Sequence, residues 1–394
     1  MRKLTCLQVI FVVLIFSAAF VSSAQEDVPT PVLGDGWSLE KRCLTEPTLP
    51  PENWKFDGTL LYRHRFGIGG LNADWETTRV LVFTNVARPG HDLFSGSLSP
   101  NLRWLAVAEG DRQCATPSCQ SVQTDVVALH LFDLMSDNPR AAHYTLEWDF
   151  WYISDRSFYD APAITWIDNE HFLYPLSSAQ NQVVNPFTGE ISTWNGFANL
   201  ERHLWLSPDL SRSFESGYDE SDYYLRLYNV ETDQEIAIFS PREFELLETR
   251  DMWAPNSSKF VTQFWTGRRF YQLRIYDRDG NYIDNIMNIP TYAGLYGEPY
   301  IEWSPDSRFL AIRWAQTASE TYFLDNYTVY IVDLQEKRIR DLCLSDSIYF
   351  TWSPDSKYLA LQISEGDLTI LDREGQNWYA LQRLNIYPFA WRAE

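Results

Sequence analysis

Residues 303–312 read WSPDSRFLAI, and residues 352–361 read WSPDSKYLAL. The two openings, Trp303 and Trp352, lie 49 residues apart. Working outward, looser copies emerge: LSPNLRWLAV from Leu98, LSPDLSRSFE from Leu206 and WAPNSSKFVT from Trp253. A degenerate copy, WIDNEHFLYP, opens at Trp166, and a truncated one, FAWRAE, ends the chain. Repetition at such a period marks supersecondary units that cannot bury their apolar faces alone and must stack on neighbours.

A second landmark recurs inside each unit. A run of alternating apolar residues ends in Asp133, Asn185, Asn229, Asp277, Asp333 or Asp372 and is followed by a turn. Alternation with a period of two marks strands. The DGN at 279–281 and the EG at 374–375 suit tight hairpins. Each unit therefore reads as four strands. Strand A ends at the Trp, and Ser-Pro-Asp turns the chain into strand B. Pro305 and Pro354 fix φ there, while Asp306 and Asp355 are placed to accept local backbone N–H groups. Strand C ends at the Asp or Asn, and D follows. Four-stranded antiparallel units at this spacing predict an all-β fold, a β-propeller. The recurrent Trp residues read as packing between blades.

Six units are visible, and the last strand A, ending at Trp391, lacks B, C and D. The runs TLLYRHRF and RVLVFTNV between Gly58 and Val86 offer the missing strands. The predicted count is seven blades, the last closed by pairing the C-terminal strand with the N-terminal ones. Closure removes an exposed sheet edge.

The units resemble the WD-repeat-like propeller repeats of TolB, the tricorn protease and the propellers of prolyl oligopeptidase-type hydrolases. The resemblance spans most of the chain, with two close copies, and speaks for the fold rather than for an activity. It departs from TolB in having no room for an α/β domain before the propeller, and from the oligopeptidases in having no hydrolase counterpart. The expected layout is a signal peptide at 1–24, a Pro/acid-rich linker at 25–54 and a propeller at 55–394.

The signal rests on Arg2 and Lys3, the apolar run Leu7–Val21, and small residues Ser22-Ser23-Ala24 before the expected start at Gln25. The run is shorter than the roughly 20 residues a spanning helix needs. Cys6 precedes it, which excludes a lipoprotein acylation site. The expected location is the periplasm, the cell surface or the exterior. The net charge of −21 repels nucleic acid and reads as a solvated acidic surface. Four cysteines remain after the signal, and an even number in an exported chain implies two disulfides. Four cysteines allow three connectivities. The turn-like ATPS spacer favours Cys114 with Cys119, which leaves Cys43 with Cys343. The second bridge is expected to staple the closing seam, and its loss to cost about 2–5 kcal/mol.

No Gly-x-Ser-x-Gly elbow or His-Glu-x-x-His helix is present. His64, His91, His130, His143, His171 and His203 show no ligand spacing, and no metal or cofactor is implied. DRDGN at 277–281 resembles a calcium loop, but its glycine is misplaced for an EF-hand and it falls at a C–D hairpin. Asn256-Ser-Ser and Asn326-Tyr-Thr are sequons with meaning only in a glycosylating host.

The A–B and C–D connections are short; the long ones are B–C or D–A. These are read at Glu109–Thr124, Glu147–Ala161, Pro290–Pro299 and Ala315–Asn326. In an up-and-down blade both types emerge on one face, as expected for a working face. The expected site is aromatic: Trp148, Phe150, Trp151 and Tyr152, with Tyr292 and Tyr296. An extra strand packed on the propeller is the structural alternative for the 147–161 stretch. The function expected is a monomeric, non-enzymatic scaffold binding a protein or glycan. The alternatives are a propeller lyase or glycoside hydrolase with channel carboxylates, and a TolB-like envelope assembly partner.

Overall fold

The computed structural model describes residues 31–392 except 45–46, 53, 65–66, 73–77, 84–91, 94–96, 115–121, 137–143, 155–164, 176–180, 194–202, 220–221, 240–251, 266–269, 291–299, 316–326, 345–348, 364–366 and 384–386. An N-terminal strap carries β1 (Val32–Leu33) and β2 (Ser38–Lys41). Blade 1 begins with β3 (Thr59–His64), β4 (Gly67–Asn72) and β5 (Thr78–Phe83). Blade 2 holds β6 (Asp92–Leu93), β7 (Ser97–Leu98), β8 (Trp104–Cys114), β9 (Val122–Asp133) and β10 (Tyr144–Ser154). Blade 3 holds β11 (Thr165–Trp166), β12 (Phe172–Pro175), β13 (Asn181–Asn185) and β14 (Glu190–Thr193). Blade 4 holds β15 (His203–Leu206), β16 (Arg212–Asp219), β17 (Asp222–Asn229) and β18 (Gln234–Phe239). Blade 5 holds β19 (Lys259–Trp265), β20 (Phe270–Asp277) and β21 (Tyr282–Pro290), its strand A reduced to a bridge between Trp253 and Phe260. Blade 6 holds β22 (Tyr300–Trp303), β23 (Phe309–Ala315), β24 (Tyr327–Asp333) and β25 (Arg338–Asp341). Blade 7 holds β26 (Phe350–Trp352), β27 (Tyr358–Ile363), β28 (Asp367–Asp372) and β29 (Trp378–Arg383). The last strand, β30 (Tyr387–Arg392), returns to blade 1.

Seven separate sheets result, with consecutive strands antiparallel in each. The seventh has the order β30-β3-β4-β5, with Thr59 opposite Arg392 and Arg63 opposite Tyr387. The ring closes by joining the two ends of the chain, as the repeat count predicts.

The alternation of the strands explains the core. In β23, Leu310 and Ile312 pack towards blade 5 with Val261, Leu273 and Ile286, while Phe309 and Ala311 pack towards blade 7 with Phe350, Leu359 and Leu361. Both faces of the blade are therefore buried, and each buried Leu, Ile, Val or Phe contributes about 1.5–3 kcal/mol. The repeated Trp residues join blades by shape and by hydrogen bond. Trp303 Nε1 donates to Met252 O at 3.1 Å, and Trp352 Nε1 to Glu302 O at 3.2 Å. Trp166 Nε1 likewise reaches Ser97 O of blade 2 at 3.2 Å. Each indole bonds the carbonyl of the preceding blade, so shape alone does not fix its position.

The stretch read as a linker lies against the outer rim. β1 adds antiparallel to β21 of blade 5, and β2 adds parallel to β25 of blade 6. Thr48 then bridges to Tyr379 of blade 7, and Trp54 packs on Tyr358 and Tyr379 before the chain enters blade 1. Cys43 and Cys343 are joined, with Cα atoms 4.7 Å apart. Because β2 runs parallel to β25, residue 43 is delivered beside residue 343 on the rim of blade 6. The bridge thus ties the strap to that blade and not, as the sequence suggested, to the closing seam. Cys119 and any bridge from it to Cys114 fall outside the described residues.

Candidate functional site

Strand polarity divides the molecule into two faces. All A–B and C–D turns emerge on one, here the turn face, and all B–C and D–A connections on the other, the loop face.

The turn face is built from the repeat itself. Ser304 Oγ–H donates to Asp306 Oδ1 at 2.6 Å and accepts Phe309 N–H at 2.8 Å. Asp306 Oδ1 also accepts Arg308 N–H at 3.0 Å. Blade 7 repeats this with Ser353 and Asp355, blade 4 with Ser207 and Asp209, and blade 2 with Ser99 and Asn101. The residue after the Asp or Asn is left-handed in each turn, with φ of 55° at Leu102, 59° at Leu210, 57° at Ser257 and 60° at Ser307 and Ser356. Where that residue is Ser, its hydroxyl accepts an N–H from the turn of the preceding blade. Asp209 N donates to Ser257 Oγ at 2.9 Å, Asn256 N to Ser307 Oγ at 3.1 Å and Asp306 N to Ser356 Oγ at 3.0 Å. The serine thus offsets a strained backbone, which costs about 1–2 kcal/mol, with a bond between blades.

The C–D turns answer the second landmark of the sequence. Asp333 Oδ1 accepts Gln335 and Glu336 N–H, and Arg308 clamps the same carboxylate bidentately at 3.1 and 2.7 Å. Arg103 and Asp133 repeat the clamp in blade 2. Burial of Asp333 acts to raise its pKa, but the Arg308 bond, the N–H of Glu336 and the Arg308 charge outweigh it and hold the carboxyl below the usual range. Asp277 is also held low: burial opposes ionisation, but the Asn281 side chain and the Asn281, Asp279 and Gly280 N–H groups outweigh it. DRDGN is therefore a C–D hairpin, its Asp277 accepting Asp279 N–H, Asn281 N–H and Asn281 Nδ2–H at 2.8–2.9 Å.

The loop face differs most at blade 2. β8, β9 and β10 run for 11, 12 and 11 residues and are the longest strands described. Two segments read as long connections are largely strand. β8 reaches Cys114 and β9 starts at Val122, so the B–C connection spans only 115–121. β10 reaches Ser154, leaving 155–164 for the D–A connection. Charged residues inside these runs obscure the period of two. One of them, Glu109, is buried and holds His130 Nε2 at 2.6 Å across β8 and β9. The polar Glu and His at core positions were the available signal for this pair.

β10 is the outer strand of blade 2, and its second half points to the loop face. The ladder shifts between Glu147 and Phe150, so Trp148 lies in a bulge. Phe150, Trp151 and Tyr152 follow, opposite Val126, Asp125 and Thr124. Four of the expected aromatic positions are therefore consecutive or nearly so on one edge strand. Tyr292 and Tyr296, in the connection from β21 to β22, lie outside the described residues.

The architecture and turns define a seven-bladed, WD-repeat-like β-propeller. No family model matches the chain, and no curated protein does. Among solved structures, one titled as a mitotic checkpoint complex is similar at 12% identity and a TM-score of 0.48, covering 83% of this chain and 95% of that one. TolB from Acinetobacter baumannii is similar at 14% identity and a TM-score of 0.42, covering 86% of this chain and 68% of that one. These likenesses concern the fold alone.

Proposed function

We propose that the protein is exported and serves as a non-catalytic binding scaffold, engaging a protein or glycan partner through the loop face of blade 2. The carrying observation is the extended β8-β9-β10 sheet with a bulge at Trp148. Bulges on edge strands re-aim side chains and recur beside functional sites. Trp and Tyr supply large contact area at low entropic cost. The opposite face supports the assignment, since its described turns spend their Ser, Asp and Arg groups on one another.

Location outside the cytoplasm is supported by the charged, apolar and small-residue pattern of residues 1–24. It is also supported by an exposed cystine, which persists in oxidising compartments. Among the described residues no helix is long and apolar enough to cross a membrane. The test is capture of partners from an extracytoplasmic fraction of the source organism, beside a glycan array. Trp148→Ala and Trp151→Ala should each weaken the captured interaction at least tenfold with an unchanged melting curve. Undiminished capture by the folded variants would remove this site from consideration.

A further inference from the structure

The strap is held as a ligand would be. Blades 6 and 7 are four-strand units and blade 5 has three strands beside its Trp253–Phe260 bridge, each with D outside, and the strap adds to these outer edges through main-chain bonds. Gly34 N donates to Ile286 O at 3.2 Å, Ser38 N to Lys337 O at 3.0 Å, Arg42 N to Asp341 O at 2.7 Å and Thr48 N to Trp378 O at 2.9 Å. Two side-chain features give the contact its specificity. A Cβ on Gly34 would lie 1.7 Å from Asn285 O, so only glycine permits the approach. Trp37 is buried among blade 5 and 6 residues, and its Nε1 donates to Asp284 Oδ2 at 3.1 Å. Lys337 pairs with the same carboxylate at 2.8 Å. The covalent tie, Cys43–Cys343, lies on exposed residues.

We infer that the rim of blades 5 and 6 is a strand-accepting surface, filled in cis by the strap, with the exposed cystine as its catch. The partner it fits is an extended segment offering a glycine and, three residues on, an indole. A dithiol reductant opens the catch. One thiolate attacks an exposed sulfur, the bond between Cys43 and Cys343 breaks, and the departing thiolate takes a proton. The second thiol then displaces the mixed disulfide, leaving two cysteine thiols and an oxidised reagent. While the bridge is closed, the strap is held at an effective concentration that no separate chain can match. This surface is distinct from the blade 2 face, and its test uses none of those residues.

The test uses the full mature chain and a labelled peptide of residues 31–42, PVLGDGWSLEKR, read by fluorescence polarisation. In a Gly34→Ala chain under dithiothreitol the chain's own strap cannot seat. This variant should bind the peptide saturably, at least tenfold more tightly than the oxidised wild type does. A peptide carrying Trp37→Ala should lose that binding. Absence of binding to a folded Gly34→Ala chain, or equal binding to the oxidised wild type, would overturn the inference. If Gly34→Ala does not fold, the Cys43→Ser, Cys343→Ser double variant decides. Trypsin should cut it after Lys41 or Arg42 at least ten times faster than the oxidised protein, with the propeller intact by circular dichroism. An unchanged rate, or loss of the propeller, would contradict the idea.

Discussion

The turn face and the loop face are made by the same strands and end in opposite chemistry. On the turn face blades 2, 4, 5, 6 and 7 repeat one solution, a Ser-Pro-Asp type turn with a left-handed residue, and serine hydroxyls link blades 4 to 7 in series. On the loop face the units diverge, and blade 2 carries strands of 11 and 12 residues where blade 3 has four or five. Uniformity marks the surface that holds the ring together. Divergence marks the surface proposed above to engage a partner.

The largest expected effect comes from breaking a uniform element. Trp303→Ala removes a buried indole and its bond to Met252, and should cost about 3–5 kcal/mol, read from denaturant midpoints. Arg308→Ala should cost about 1–3 kcal/mol, because Asp333 keeps its two N–H donors but loses the bidentate clamp. The same carboxylate sets a pH signature. The folded pKa of Asp333 lies below the unfolded value of about 3.9, so its contribution is complete above that value. It is lost as pH falls further, through the folded pKa. Stability should therefore fall steeply with acid below about pH 4, and less so in Asp333→Asn; parallel curves for the two would contradict this reading.

Smaller effects sharpen the contrast between exact and degenerate turns. Ser307→Ala should cost about 1 kcal/mol by orphaning Asn256 N–H. Leu210 has the same left-handed backbone and no hydroxyl to offer, so Leu210→Gly should be neutral or stabilising by up to about 1 kcal/mol. If both substitutions destabilise equally, the serine is not the device that couples the blades.

The repeat was legible because the turn face is local chemistry. Ser304 and Asp306 accept N–H groups within five residues of themselves, and Asp333 accepts the N–H groups of Gln335 and Glu336. The strap was not legible, because its meaning lies in partners more than 200 residues away. Gly34 matters only against Asn285, and Trp37 only against Asp284. The length of β8 and β10 was hidden by buried Glu109 and by the bulge at Trp148, both of which break a simple alternation. The stretch holding Trp148, Phe150, Trp151 and Tyr152 reads in the sequence as a connection and is the end of an outer strand.

The most direct measurement compares the two faces in one binding assay. Partners captured from an extracytoplasmic fraction by the wild-type chain are quantified against Trp148→Ala and Trp151→Ala, and against Glu231→Ala and Glu336→Ala on the turn face. A binding site on blade 2 requires at least tenfold weaker capture by the tryptophan variants and unchanged capture by the glutamate variants, all with equal melting temperatures. Loss of capture on the turn face with full capture by the tryptophan variants would contradict it.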